Sequence, residues 1–130
     1  MKQIRIFIVD DNTAFRKAMH LMLSKRSYII RIEEAKDGKE CIELLNKNKP
    51  DIILMDVVMP VMDGIEATKA VIKLYPKQRI IALTTFHEYE FIASMFDAGA
   101  CGYLRKDTVN ENIDEAIKLA LAGQTFYFNT

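Results

Sequence analysis

Carboxylates stand directly after two apolar runs of this sequence. Residues 52–55 are followed by Asp56, and residues 4–9 are followed by the pair Asp10 and Asp11. Carboxylates that share a small cleft repel one another unless a cation lies among them, and oxygen ligands suit a hard divalent ion such as Mg²⁺. An aspartate is also a known nucleophile in phosphoryl transfer. These residues predict a Mg²⁺-dependent phosphoryl-transfer site in which Asp56 attacks.

A hydroxyl and a cation close two later stretches of the chain. Residues 79–85 end in Thr84 and Thr85, and residues 102–106 end in Lys106. An ammonium would pair with a phosphoryl oxygen as a point charge, and a hydroxyl would donate to another oxygen. Polar residues are common where loops begin, so only the agreement of several such residues indicates a site.

The stretches that carry these residues are predicted to be strands of one parallel sheet. Residues 52–56, an apolar run that ends in Asp56, are typical of a central strand, whereas residues 28–35 include charged side chains and suit a sheet edge. Five strands alternate with helices, the first of which follows Asn12. The other helices are predicted at residues 39–46, 65–75, 88–98 and 110–122.

This alternation predicts a three-layer, doubly wound α/β domain with right-handed crossovers and helices on both faces of the sheet. The carboxyl ends of parallel strands lie at one edge of a sheet, which is where such domains place their ligand sites. The polar residues at the strand ends are therefore expected to converge there.

Composition limits the partners that the chain can hold. Its 130 residues are half apolar, which fits one domain with a single core. Eighteen basic residues balance eighteen acidic ones, so we expect this chain alone to bind neither DNA nor a membrane surface. The amino terminus lacks the apolar region of a signal peptide, and we expect a cytoplasmic protein.

Three residues of reactive types are predicted to have structural roles. Cys41 and Cys101 lack the spacing of a metal or redox pair, which favours buried, reduced thiols. His20 lies beside the apolar stripe of the first helix and has no second ligand at a metal-binding spacing, which favours a surface histidine.

Four motifs, in order along the chain, resemble the receiver domain of two-component response regulators. They are Val9-Asp10-Asp11-Asn12, residues 54–64, Leu83-Thr84-Thr85 and residues 98–106. The resemblance covers essentially the whole chain. It implies a flavodoxin-like fold, with a five-stranded parallel sheet in the order 2-1-3-4-5.

The resemblance also implies roles at the site. Asp56 would be the phosphoacceptor, and Asp10 and Asp11 would hold Mg²⁺ together with Asp56 and the backbone carbonyl of Val58. Lys106 would pair with the phosphate.

Signalling would follow from two further residues. By resemblance, Thr84 is the switch hydroxyl and Tyr103 the switch aromatic, and a sensor histidine kinase supplies the phosphoryl group. Residues 88–122 would then form a face for homodimerisation or for docking an output domain. Such a protein is a regulatory domain that catalyses its own phosphorylation and dephosphorylation, not an enzyme acting on other substrates.

One departure from the family pattern narrows the resemblance. Lys106 precedes Asp107, whereas many receivers have proline there, often joined through a cis bond. Lys-Asp looks more like receivers linked to a LuxR-type helix-turn-helix domain. We therefore expect residues 1–130 to be a receiver whose output domain, a DNA-binding regulator of transcription, lies beyond this chain. The alternative is a stand-alone receiver acting through protein contacts.

Two other classes of protein share the expected fold. A phosphatase of the haloacid dehalogenase type needs a second aspartate two residues after its nucleophile, and Val58 stands there. A flavin carrier needs a hydroxyl-rich phosphate loop after the first strand, which the sequence lacks. Neither G-x-G-x-x-G nor G-x-x-x-x-G-K occurs, so nucleotide binding has no support.

Overall fold

The computed structural model describes residues 2–85 and 90–128, in which strands and helices alternate. The strands are β1 (Ile4–Val9), β2 (Ile29–Ala35), β3 (Ile52–Asp56), β4 (Arg79–Thr84), β5 (Gly102–Arg105) and β6 (Phe126–Tyr127). The helices are α1 (Thr13–Ser24), α2 (Gly38–Leu45), α3 (Gly64–Leu74), α4 (Ile92–Ala98) and α5 (Val109–Leu121). The 3₁₀ turn Lys106–Thr108 joins β5 to α5.

The sheet is parallel throughout and has the order β2-β1-β3-β4-β5-β6. The flavodoxin-like fold and the predicted order 2-1-3-4-5 are confirmed. The predicted strand number was one too few, because β6 adds to the edge of β5. A two-residue strand carries no periodicity of its own, and its pairing depends on an edge that is distant in sequence.

Alternate side chains of the strands feed two hydrophobic layers. Ile4, Ile6 and Ile8 of β1 pack in the layer that includes residues of α1 and α5. Phe7 and Val9 pack in the layer that includes residues of α2, α3 and α4. All of β3 is buried, as a central strand with helices on both faces requires, whereas β2 keeps its polar residues at the sheet edge.

Polar caps start the helices α1, α2 and α3, which follow the first three strands along the chain. Asn12, Asp37 and Asp63 each accept a hydrogen bond, at 2.9 Å, from the backbone N–H three residues later. These bonds satisfy backbone donors that have no partner inside the helix. The caps of α1 and α3 shape the loops that follow β1 and β3, which carry the predicted carboxylates.

Some predicted boundaries differ from the structure. The strand predicted over residues 79–85 ends at Thr84, and the strand predicted over residues 102–106 ends at Arg105. Lys106 thus begins the 3₁₀ turn instead of closing β5. The helix predicted over residues 88–98 is present as Ile92–Ala98, and residues 86–89 lie outside the described part of the chain.

Candidate functional site

Three carboxylates converge at the carboxyl edge of the sheet. Asp10 follows β1, Asp56 ends the neighbouring strand β3, and both side chains are buried. Asp11 is exposed at the mouth of the same cleft. One carboxylate oxygen of each residue lies within 4.8 Å of the others. The strand-end argument therefore placed these three residues together correctly.

Lys106 brings a cation into this cluster. Its Nζ lies 2.7 Å from Oδ2 of Asp10 and 3.2 Å from Oδ1 of Asp56. Burial by itself would lower the pKa of Lys106, but the hydrogen bonds and charges of Asp10 and Asp56 outweigh it and raise the pKa above its usual range. The lysine therefore stays charged at neutral pH and offsets part of the repulsion between the carboxylates.

The carboxylate of Asp10 is held at both oxygens. While Oδ2 faces Lys106, Oδ1 accepts a hydrogen bond of 2.8 Å from the backbone N–H of Asn12. Asn12 is also the cap of α1, so the helix start and the orientation of Asp10 depend on the same residue. The side chain of Asp10 is thereby aimed at the cleft before any ligand binds.

Gly64 closes the loop that follows Asp56. A Cβ at Gly64 would lie 2.9 Å from the carbonyl carbon of Asp56 and 2.9 Å from Cα of Val57, closer than real Cβ atoms approach other groups. The N–H of Gly64 donates to the carbonyl of Val57 at 2.8 Å. Val58, which was expected to offer its carbonyl to a metal, comes next in this loop and is 48% exposed.

Thr84 and Tyr103 lie on the strands next to the cluster. Thr84 is buried at the end of β4, and its hydroxyl donates to the carbonyl of Leu104 on β5 at 3.5 Å. Tyr103 is buried on β5, with its ring edge-on to Phe96 of α4 at 6.5 Å between centroids. Tyr103 therefore contacts α4, and Thr84 is bonded to the strand that carries Tyr103.

The sequence did not predict two contacts made by residues of the site, one at Tyr103 and one at Asp10. Tyr127 of β6 stacks on Tyr103, with centroids 6.2 Å apart and rings 2° from parallel. Arg16 of α1 donates from Nη1 to the backbone carbonyl of Asp10 at 2.7 Å. An arginine beside the apolar stripe of a helix is common, so no local sequence pattern predicts the contact between Arg16 and Asp10.

The remaining reactive residue types occupy structural positions. Cys41 and Cys101 are buried, free thiols, and burial raises the pKa of Cys41 to about 12 and also raises that of Cys101. His20 is partly exposed on α1, with Nδ1 at 2.6 Å from Oε2 of Glu34. These positions agree with the structural roles expected from the sequence.

Within residues 2–85 and 90–128, no helix combines the length and the apolar character that crossing a bilayer requires.

Comparisons with protein families and with solved structures both match this chain. The model of the response regulator receiver domain matches residues 6–118. A two-component response regulator of the LuxR family from Aurantimonas sp. SI85-9A1 superimposes with a TM-score of 0.88 and 31% sequence identity. The superposition covers 98% of this chain and 90% of that one.

Several curated proteins align with nearly the whole chain. The uncharacterized transcriptional regulatory protein YxjL of Bacillus subtilis is 38% identical over 125 residues, which are 96% of this chain and 57% of that protein. LiaR of the same organism, also named a transcriptional regulatory protein, is 38% identical over 93% of this chain and 57% of its own length. DegU of Brevibacillus brevis is 32% identical over 95% of this chain and 52% of its own length. The chain spans about half the length of these relatives.

Proposed function

Because the chain belongs to the response regulator receiver domain family, we propose that it is a phosphorylation switch whose acceptor is Asp56. Members of this family are regulatory domains. The observation that carries the proposal is the position of Lys106, whose ammonium lies between the buried carboxylates of Asp10 and Asp56 while Asp11 borders the same cleft. This arrangement combines a nucleophile, a charge partner for phosphate and a set of oxygen ligands.

The ligand set fits Mg²⁺ in type and in charge. Three carboxylates against one ammonium leave a formal charge of two negative units, which a divalent cation balances. Asp10, Asp11, Asp56 and the backbone carbonyl of Val58 would hold the ion. When bound, Mg²⁺ would neutralise charge on the transferred phosphoryl group.

The proposed reaction is an in-line transfer from a phosphohistidine of a sensor kinase. A carboxylate oxygen of Asp56 attacks phosphorus, so a P–O bond forms while the P–N bond breaks and its electron pair stays on the imidazole nitrogen. Lys106, already 3.2 Å from Asp56, pairs with a phosphoryl oxygen. Attack of water on the acyl phosphate in the same site would return Asp56 to its starting state.

We further propose that Thr84 and Tyr103 pass this event to the surface. A phosphoryl group brings about two negative charges to Asp56, and these would draw the Thr84 hydroxyl away from the Leu104 carbonyl. Tyr103 would then turn into the vacated space. The face formed by residues 88–122 would change shape and serve for homodimerisation or for docking an output domain.

The proposed output is regulation of transcription through a DNA-binding domain beyond residue 130. Two observations support it: relatives of about twice this length are named transcriptional regulatory proteins, and a LuxR-family response regulator has the same fold. In this proposal residues 1–130 are the receiver and do not bind DNA themselves. A stand-alone receiver remains the alternative, and the cytoplasmic location expected from the sequence remains a prediction.

Intact-mass measurement after incubation with acetyl phosphate and Mg²⁺ tests the proposed function. Wild-type protein should gain the mass of one phosphoryl group, and Asp56→Asn should gain none. Asp63→Asn is the matched control. Asp63 lies in the loop that follows Asp56 and caps α3, and this variant should still be labelled. An unchanged wild-type mass, or equal labelling of Asp56→Asn, contradicts the proposal.

A further inference from the structure

We propose that Arg16 is a positioning residue that holds the Asp10–Asp11 segment in the conformation that binds Mg²⁺. The inference rests on the proposed function, since it concerns the same metal site. Arg16 donates hydrogen bonds to the backbone carbonyl of Asp10 and to Glu34, which are distinct from the carboxylates that would hold the metal.

The Arg16 guanidinium joins the ends of two strands. Nη1 donates to the backbone carbonyl of Asp10 at 2.7 Å, and Nε donates to Oε1 of Glu34 on β2 at 2.9 Å. The side chain of Arg16 is only 13% exposed, and that of Glu34 only 14%. A planar guanidinium reaches two acceptors at a fixed angle, which a lysine ammonium on a flexible stem cannot reproduce.

The bond to Asp10 acts on the peptide unit that leads to Asp11. The carbonyl of Asp10 and the N–H of Asp11 belong to one planar group, so a donor on the carbonyl restricts the orientation of both. The N–H of Asp10 is already bonded to the carbonyl of Ala35 at 3.0 Å. With Arg16 in place, the backbone is fixed on both sides of Asp10, and the exposed side chain of Asp11 starts from a defined position.

Glu34 keeps Arg16 in place and offsets its charge. Lys17 and His20 also contact this carboxylate, with Nζ at 3.1 Å and Nδ1 at 2.6 Å. Burial alone would raise the pKa of Glu34, but hydrogen bonds from Lys17, His20 and Arg16 lower it below its usual range. The carboxylate of Glu34 that holds Arg16 is therefore ionised at neutral pH.

A positioning role and a purely electrostatic role predict opposite effects on the metal. Removing a cation near three carboxylates should by Coulomb's law alone tighten Mg²⁺ binding. Removing the donor that orients the Asp10–Asp11 peptide should weaken it. We expect Arg16→Ala to weaken Mg²⁺ binding about tenfold, the order expected of one hydrogen bond from a charged donor.

Calorimetric titration with MgCl₂ provides the comparison. Arg16→Lys keeps the charge without the fork and should show an intermediate loss. Lys17→Ala is the matched control, because it removes another cation from Glu34 but not the bond to Asp10, and its affinity should stay within about twofold of wild type.

Amide exchange without metal gives a second readout. The N–H of Asn12 is bonded to Oδ1 of Asp10, so it should exchange faster in Arg16→Ala while the amides of β1 stay protected. This measurement also shows whether the variant is folded. If Arg16→Ala does not fold, Arg16→Lys serves for both measurements.

The outcomes separate this inference from the proposed function. A wild-type protein that binds Mg²⁺ and is phosphorylated, beside an Arg16→Ala variant of equal or higher Mg²⁺ affinity, overturns the positioning role alone. Unchanged exchange at Asn12 in Arg16→Ala also overturns it. A wild-type protein that neither binds Mg²⁺ nor is labelled at Asp56 contradicts both proposals.

Discussion

The ring of Phe126 lies against Gly102 so closely that a Cβ at Gly102 would be 2.5 Å from the ring. The N–H of Phe126 donates to the carbonyl of Cys101 at 2.9 Å, and Gly102 pairs with Phe126 across β5 and β6. Glycine at this position therefore admits an aromatic ring onto the sheet edge. The contact makes β6 part of the core instead of a free tail.

Replacing Gly102 by alanine should detach β6. The added methyl overlaps the Phe126 ring, and overpacking of this kind costs about 1–3 kcal/mol. Urea denaturation should show that loss, and the Phe126 amide should lose its protection from exchange. In a Phe126→Ala background the same change should cost clearly less, because the ring is absent. An equal cost in both backgrounds would show that the ring contact is not the cause.

Gly64→Ala should impair the site itself. Its Cβ would meet the backbone of Asp56 and Val57, which cannot move without displacing the phosphoacceptor. We expect slower labelling by acetyl phosphate and a loss of stability of about 2 kcal/mol or more. Gly38→Ala is the matched control.

Gly38 has the same place after a capping aspartate, at the start of α2. The nearest atoms to its added Cβ are in the side chains of Ala67 and Met62, 2.7 and 2.9 Å away. That variant should lose stability yet keep the labelling rate of wild type. Equal labelling rates of the Gly64→Ala and wild-type proteins would contradict the assignment of Gly64 to the site.

The ion pairs of Glu34 should contribute to stability in a pH-dependent way. The pKa of Glu34 is below its ordinary value of 4.5 in the folded state, so its contribution is present above that pH and is lost as the pH falls through the folded pKa. The difference in unfolding free energy between wild type and Glu34→Gln should therefore shrink as the pH is lowered from about 6 to about 3. Chemical denaturation at several pH values measures it, and a constant difference would argue against the ion pairs.

Phosphorylation should change amide protection far from Asp56. When the phosphoryl mimic beryllofluoride binds, we expect amide protection to change among residues 88–122 and at Phe126. The change at Phe126 would follow because Tyr103 would leave its stack with Tyr127. Thr84→Val retains the shape of the side chain without the hydroxyl and should bind the mimic while showing no distant change. Changes confined to the loops around Asp56 in wild type would refute the proposed switch face.

Residues 1–130 should not bind DNA alone. The net formal charge is zero, and the adjacent basic pair Lys25 and Arg26 is too small a patch for phosphate contacts to dominate. Arg26 is moreover engaged with Asp114, its Nε 2.9 Å from Oδ1. Gel retardation at low salt should show no shift, and a specific, salt-sensitive shift would refute this expectation.

The sequence by itself determined the sheet and the residues at its carboxyl edge. Apolar runs that end in Asp10 and Asp56 are local patterns, and parallel connectivity then requires those ends to meet. The polar composition of β2 likewise predicted a sheet edge, because charged side chains are tolerated there. Each of the four motifs that resemble the receiver family is a short continuous stretch of sequence. Their residues and their order along the chain could therefore be compared with the family pattern without a structure.

Only the tertiary structure decided which distant groups touch. Arg16 meets the Asp10 carbonyl and Glu34 through a helix packed on two strands, and Phe126 meets Gly102 across the sheet edge. Lys106 reaches the carboxylates from a 3₁₀ turn, whereas the sequence placed it at the end of a strand. Such contacts depend on distances between segments far apart in the chain, and local propensity carries no information about those distances.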